Sequence, residues 1–159
     1  MEALLNREMI TNKALCRALG VITFVTLISL GAFVRLPLPF TPVPLTLQTF
    51  FVLLSAAFLG ANLGAATQVT YIMLGVLGLP VFTGAGAGLL YFAGPTSGYI
   101  LGFIVASLFL GRALKYSGNN MAQITALFIA ADLIILFCGV LWLKFIFGYA
   151  WLQLLAIGF

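Results

Sequence analysis

The 159-residue chain has no histidine and only three carboxylate side chains, and it lacks a Gly-Lys-Ser/Thr phosphate loop. Without histidine, and with no nucleophile placed beside a base, it offers no acid/base or nucleophilic constellation for catalysis. Without the phosphate loop it has no means of hydrolysing ATP. If it moves a solute uphill with ATP, another subunit must supply the hydrolysis. Charge of either sign is scarce, at 6% of residues against roughly 25% in a soluble domain. Such a chain cannot cover its own surface in water, which excludes both a water-soluble enzyme and a disordered polymer. Cysteine is limited to Cys16 and Cys138, inside apolar segments and without metal-ligand spacing, so both read as buried free thiols.

Hydrophobic residues make up 64% of the sequence, in continuous runs rich in Leu, Ala and Gly. A bilayer-spanning helix needs about 20 apolar residues, whereas a transmembrane barrel would show short alternating segments. The class is therefore an all-α integral membrane protein, a single membrane domain over residues 1–159. Spans are expected near 14–34, 46–59, 65–79, 96–114 and 121–143, after a retained polar tail at 1–13 that is no signal peptide. A tight turn at 60–64 separates the second span from the third. The apolar tail from Gly148 onward would rise about 17 Å as a helix against a hydrocarbon core of about 30 Å, so it cannot cross. It reads as a short outer segment, 145–159, either an interfacial helix or the start of something missing.

The net charge of +4 does not point to nucleic acid, because the basic residues are strung between apolar runs instead of clustering on a soluble face. They report topology. With the N-terminus inside, Arg7, Lys13, Arg17, Arg112 and Lys115 are cytoplasmic and only Arg35 and Lys144 are outside, the bias expected of a multi-pass protein of the cytoplasmic membrane. All six prolines (Pro37, Pro39, Pro42, Pro44, Pro80 and Pro95) then fall at the outer face, together with a glycine-rich stretch at 81–94. Irregular backbone survives near a bilayer only where it is buried in protein or lines a cavity. The two outer loops should therefore pack as a cap over the bundle.

The polar groups of that cap are neutral: Thr41, Thr46, Gln48 and Thr49 in the first loop region, and Thr83, Tyr91, Thr96, Ser97 and Tyr99 in the second, with Phe40, Phe82 and Phe92 nearby. An apolar pocket with a few hydrogen-bonding groups suits a small, largely uncharged ligand. The fourth helix begins at Gly94, Pro95, Thr96 and Ser97, where Pro suits the first helical position and the exposed amides around it offer a ligand carboxylate a resting place without an arginine. The plainer reading of the Pro and Gly residues is that they only terminate helices.

Gly94, Gly98, Gly102 and Ala106 recur every four residues, a spacing for close helix packing, most simply within the chain. Ala14 and Ala18 form a second small pair, where either packing or a docked partner fits. Asp132 lies near the middle of the fifth span. An acid there is a functional candidate, but a protonated acid bonded to Gln68 or to a backbone carbonyl fits equally well.

Three ordered blocks, Pro39-Phe40-Thr41-Pro42-Val43-Pro44-Leu45-Thr46-Leu47-Gln48-Thr49-Phe50, Gly78-Leu79-Pro80-Val81-Phe82 and Gly94-Pro95-Thr96-Ser97-Gly98-Tyr99, resemble the BioY family. With the stretch at 139–143 the resemblance covers nearly the whole chain. These are the biotin-binding S components of energy-coupling factor (ECF) transporters. The resemblance implies a six-helix membrane protein, not an enzyme, that captures biotin from outside without a cofactor. It also implies work with a transmembrane coupling protein and two cytoplasmic ATPase subunits, with Ala14 and Ala18 docking on the coupling protein. Carried residue by residue, it assigns ligand binding to Thr46, Gln48, Phe82, Gly84, Gly86, Tyr91, Pro95, Thr96 and Tyr99. Biotin, a neutral ureido bicycle with a valerate tail, agrees with the neutral cap. The family continues into a sixth helix opened by a Pro-Gly-Asp segment and a nearby Lys; here the sequence stops at Phe159, so the resemblance implies a fragment whose last segment is the outer connection to that helix. Asp132 is not a family hallmark. An S component for another vitamin, a proton-coupled carrier or small channel using Asp132, and a purely structural subunit are the competing readings.

Overall fold

The computed structural model describes residues 2–36, 44–118 and 120–149, with side chains described from Asn12 onward. Pro37, Pro39, Phe40, Thr41, Pro42 and most of the expected outer segment lie outside the described residues. In chain order the elements are α1 (Glu2–Gly31), β1 (Arg35–Leu36), β2 (Leu45–Thr46), α2 (Gln48–Val76), α3 (Gly88–Phe92), α4 (Ser97–Tyr116) and α5 (Met121–Phe147), with a 3-10 turn at Thr83–Ala85 before α3. Four helices among the described residues are long and apolar enough to cross a membrane: Asn12–Gly31, Gln48–Val76, Ser97–Tyr116 and Met121–Phe147. Leu15, Ile22, Phe58, Met73, Val105 and Phe137 project exposed from them. That is the surface expected of a bundle whose solvent is lipid, and the chain is a multi-pass membrane protein.

Helix α2 is continuous in sequence but folded back on itself. Gly60 adopts φ 78° and ψ 176°, inside the helix but far from helical values, a conformation open to a residue with no Cβ. Beyond it the chain runs in reverse: a Cβ built on Gly64 would lie 2.9 Å from Ala56 Cα, although residues eight apart in a straight helix are about 12 Å apart. Gln68 Nε2 donates to Ser55 Oγ at 2.9 Å across the same hairpin. The expected five-residue turn at 60–64 is thus a single glycine, and residues 61–64 are already helical. One expectation for Asp132 is also corrected: a protonated acid would donate to Gln68 Oε1, and that buried oxygen accepts from no described group, while Nε2 turns to Ser55.

Other boundaries shift for local reasons. The polar segment before Ala14 continues α1 back to Glu2 instead of forming a separate tail. At the start of α5, Asn120 Oδ1 accepts from the amide of Ala122 at 3.0 Å, capping the first turn. At its end the helix runs past Lys144 to Phe147, where Gly148 in the left-handed region donates its amide to Lys144 O. Cys16 is exposed on α1, not buried, because the face of α1 that carries it meets no other described element; Cys138 is half-buried, and both are free thiols.

Glycines set the distances between helices. A Cβ on Gly98 would meet Trp142 Cβ at 2.2 Å, and one on Gly102 would meet Ile135 Cα at 3.1 Å, so the small-residue stripe of α4 seats α5. One on Gly111 would meet Ala61 N at 2.3 Å, placing the last turns of α4 directly on the backbone of the Gly60 turn. Ile28, Val52, Ala106, Leu110 and Ile135 fill the core between them. One end of the bundle therefore carries the Gly60 turn with Arg112 and Lys115, and the opposite end carries β1, β2, α3 and the described prolines Pro44, Pro80 and Pro95.

The loop after α2 is pinned to this frame by Phe82. The ring is fully buried, and a Cβ on Gly75 would sit 2.2 Å from its Cζ. Gly75→Ala is expected to unseat the loop at a cost of about 1–3 kcal/mol, and adding Phe82→Leu should recover part of that loss in a double-mutant cycle read by thermal melting in detergent. Gly111→Val should lower the melting temperature through overpacking of about 1–3 kcal/mol or more, while Gly118→Ala, which meets nothing within 4 Å, should leave it unchanged.

Candidate functional site

At the proline-bearing end, the carboxamide of Gln48 joins four parts of the chain. Its Oε1 accepts from Thr46 Oγ1 at 3.3 Å and from Thr83 Oγ1 at 3.1 Å. Its Nε2 donates to Tyr71 OH, and that hydroxyl donates in turn to Val81 O at 3.1 Å. Gln48 opens the first arm of α2, Tyr71 sits on the second, Thr46 belongs to β2, and Thr83 and Val81 belong to the loop before α3. Both lone pairs of the amide oxygen are used, and one amide hydrogen remains. A buried carboxamide without such partners would cost several kcal/mol in apolar surroundings, on the order of 1–3 by mutational data, so the network holds β2 and the loop to the hairpin.

An aromatic stack lies beside this network. Phe82 stacks on Tyr91 with centroids 5.3 Å apart and planes 11° apart, and on Phe92 at 6.3 Å. It meets Tyr71 edge-on at 5.5 Å and 84°. Tyr91 OH donates to Thr83 O at 2.9 Å, tying α3 back to the loop. Gly86 lets the Tyr91 ring lie flat against the loop, since a Cβ there would come 2.2 Å from the ring, and its carbonyl accepts from the Phe82 amide at 3.1 Å. Gly84 has φ 70° and lies under the Arg35 guanidinium. Its neighbour Ala85 holds φ 61°, an uncommon value for a residue with a side chain.

Six of the nine residues expected to bind ligand (Thr46, Gln48, Phe82, Gly84, Gly86 and Tyr91) thus fall in one cluster. Pro95 and Thr96 lie in the turn entering α4, where the Ser97 amide already donates to Gly94 O and the Ser97 hydroxyl to Phe92 O. Tyr99 is half-buried with its ring against Gly139 of α5, where a Cβ would come 2.3 Å from Tyr99 Cζ, and it takes no part in the Gln48 network. Trp142 Nε1 donates to Gly94 O at 3.1 Å, fastening this turn to α5. Ala14 and Ala18 are both exposed on α1. Asp132 is half-buried in the interior of α5, away from the cluster in sequence and element.

Tyr71 and Trp142 escaped the sequence reading. A buried tyrosine hydroxyl or indole N–H needs a partner, and that need was the available signal. The partners, Gln48 and Gly94, lie 23 and 48 residues away.

Known proteins share this frame and part of this sequence. The biotin transporter BioY of Thermotoga maritima is 47% identical over 88 residues, covering 55% of this chain and 51% of that protein. The probable biotin transporter BioY of Pyrococcus horikoshii is 39% identical over 129 residues, covering 79% of this chain and 73% of that protein. With the Lysinibacillus sphaericus relative, of which the match covers 43%, the chain spans about half the length of two of these transporters. The crystal structure of the S-component for biotin from an ECF-type ABC transporter superposes with a TM-score of 0.82 at 25% identity, covering 91% of this chain and 79% of that one. The profile of the BioY family matches residues 6–159, nearly the whole chain, so the chain belongs to the BioY family.

Proposed function

We propose that this chain captures biotin at the outer face of the cytoplasmic membrane as the substrate-binding subunit of an ECF transporter. The observation that carries the reading is the Gln48 network: a neutral, buried carboxamide joined to three hydroxyls beside an aromatic stack, at the end of the bundle where the irregular backbone collects. Such a set recognises a neutral head group by hydrogen bonds and an apolar body by contact. Family membership and the relatives named as biotin transporters support biotin as that ligand. Thr46, Gln48, Phe82, Gly84, Gly86 and Tyr91 form the ligand-facing cap in this reading. Pro95, Thr96 and Tyr99 line its far side.

The chain crosses the membrane five times in this proposal, the two arms of α2 counting as separate passes, with the N-terminus inside. The first arm, 48–59, rises only about 18 Å, so the loops that cap it lie within the membrane's outer half. That depth suits irregular backbone that lines a cavity. Lacking a phosphate loop, the subunit relies on a transmembrane coupling protein and two cytoplasmic ATPases. The exposed Ala14 and Ala18 permit the close helix approach such docking needs. The comparisons do not favour a proton-coupled carrier built on Asp132.

Labelled biotin should bind the purified protein saturably and be displaced by unlabelled biotin at low concentration but not by riboflavin or thiamine; displacement by either of those vitamins would reassign the ligand. Gln48→Ala should weaken biotin binding by about tenfold or more, corresponding to loss of 1–3 kcal/mol of buried hydrogen bonding. With Cys16 and Cys138 replaced, a membrane-impermeant maleimide should label Gly118→Cys only in inside-out vesicles and Leu45→Cys only in right-side-out ones; the reverse pattern would invert the topology.

A further inference from the structure

We propose that Arg35 reads the anionic end of the ligand, so that the same cap which holds a neutral head by hydrogen bonds selects for a carboxylate on its tail. This rests on the function proposed above and deepens it.

The first ground is charge. The three side-chain carboxylates of the chain are Glu2, Glu8 and Asp132. Glu2 and Glu8 lie in the first turns of α1, about 35 Å or more of helix rise from Arg35. Asp132 lies about 22 Å of rise from the loop-end terminus of α5 at Phe147. Within residues 1–159, no side-chain carboxylate therefore lies at the guanidinium's own end of the bundle. The other cation there, Lys144, donates to Tyr149 O at 3.1 Å.

The second ground is position. Arg35 pairs with Thr46 in the β1–β2 ladder, and Thr46 is bonded to Gln48. At the far end of the side chain, Nη1 lies 2.5 Å and Cζ 3.4 Å from where a Cβ on Gly84 would stand. Gly84 follows Thr83, the other hydroxyl bonded to Gln48. The backbone of Arg35 thus adjoins one hydroxyl bonded to Gln48 and its guanidinium lies beside the residue that follows the other, while Arg35 remains exposed. A planar guanidinium matches a carboxylate with two parallel hydrogen bonds. The amides entering α4 are the competing carboxylate site, but the Ser97 amide is already committed to Gly94 O.

The test compares biotin with its primary amide, which keeps the bicycle and tail and loses only the charge. Binding of both is measured on wild-type protein, Arg35→Gln, Arg35→Lys and Gly84→Ala, each checked by thermal melting. Wild type should prefer biotin by about tenfold or more; Arg35→Gln should weaken biotin by that factor and leave the amide within about twofold, and Arg35→Lys should restore part of the preference. Gly84→Ala, whose methyl takes the place of the guanidinium, should reproduce the loss and covers the case in which Arg35→Gln does not fold. Equal weakening of both ligands would overturn the inference in favour of a structural or lipid-phosphate contact. Unchanged binding of both would overturn it in favour of the α4 amides. Wild type that binds biotin and its amide alike would overturn this inference alone. Wild type that binds neither would overturn the proposed function as well.

Discussion

A single carboxamide in apolar surroundings organises the outer end of this protein. Lipid and packed side chains give Gln48 no water to fall back on, so each of its bonds must come from the chain itself. It takes them from β2, from the loop before α3 and from the second arm of α2. Satisfying one buried polar group therefore fixes the relative positions of three segments that share no regular hydrogen-bonded structure. The Tyr71 hydroxyl extends the constraint to Val81, and the Tyr91 hydroxyl extends it through Thr83 to α3.

The network works only because the helices beneath it approach closely. Gly64, Gly98, Gly102 and Gly111 each occupy a point where a methyl group would collide with a neighbouring backbone atom or side chain. In a membrane, where hydrophobic burial does not separate helix from lipid, such close van der Waals contact is a main source of association. The Gly60 reversal brings Gln48 and Tyr71 to the same height, and Gly75 leaves room for Phe82 below them. Close backbone packing marks the Gly60 end of the molecule and hydrogen-bonded loops mark the other.

Much of this was legible in the sequence because the bilayer imposes strong patterns. Continuous apolar runs located α4 and α5, the separated hydrophobic stretches around Gly60 implied a hairpin, and prolines on one side implied a cap. The four-residue glycine spacing implied a close helix contact within the chain, though not that α5 is the helix it meets. Legibility failed where the partner is distant or the choice is local. Nothing near Tyr71 marks its bond to Gln48, and nothing near Arg35 marks its contact with Gly84. The hairpin needed one glycine where five residues had suggested a longer turn, because φ near 80° reverses the chain at once. The sequence offers Gln68 as one partner for Asp132, but the hairpin places Ser55 opposite its amide.

If this chain captures biotin as proposed, the Gln48-bonded loops close over it as one body. Amide hydrogen exchange over residues 45–48 and 81–94, with and without saturating biotin, measures that closure directly. Both stretches are expected to slow together, by about tenfold or more, since each would have to open for either to exchange. Exchange that is unchanged by biotin, or slowed in one stretch alone, would contradict the account.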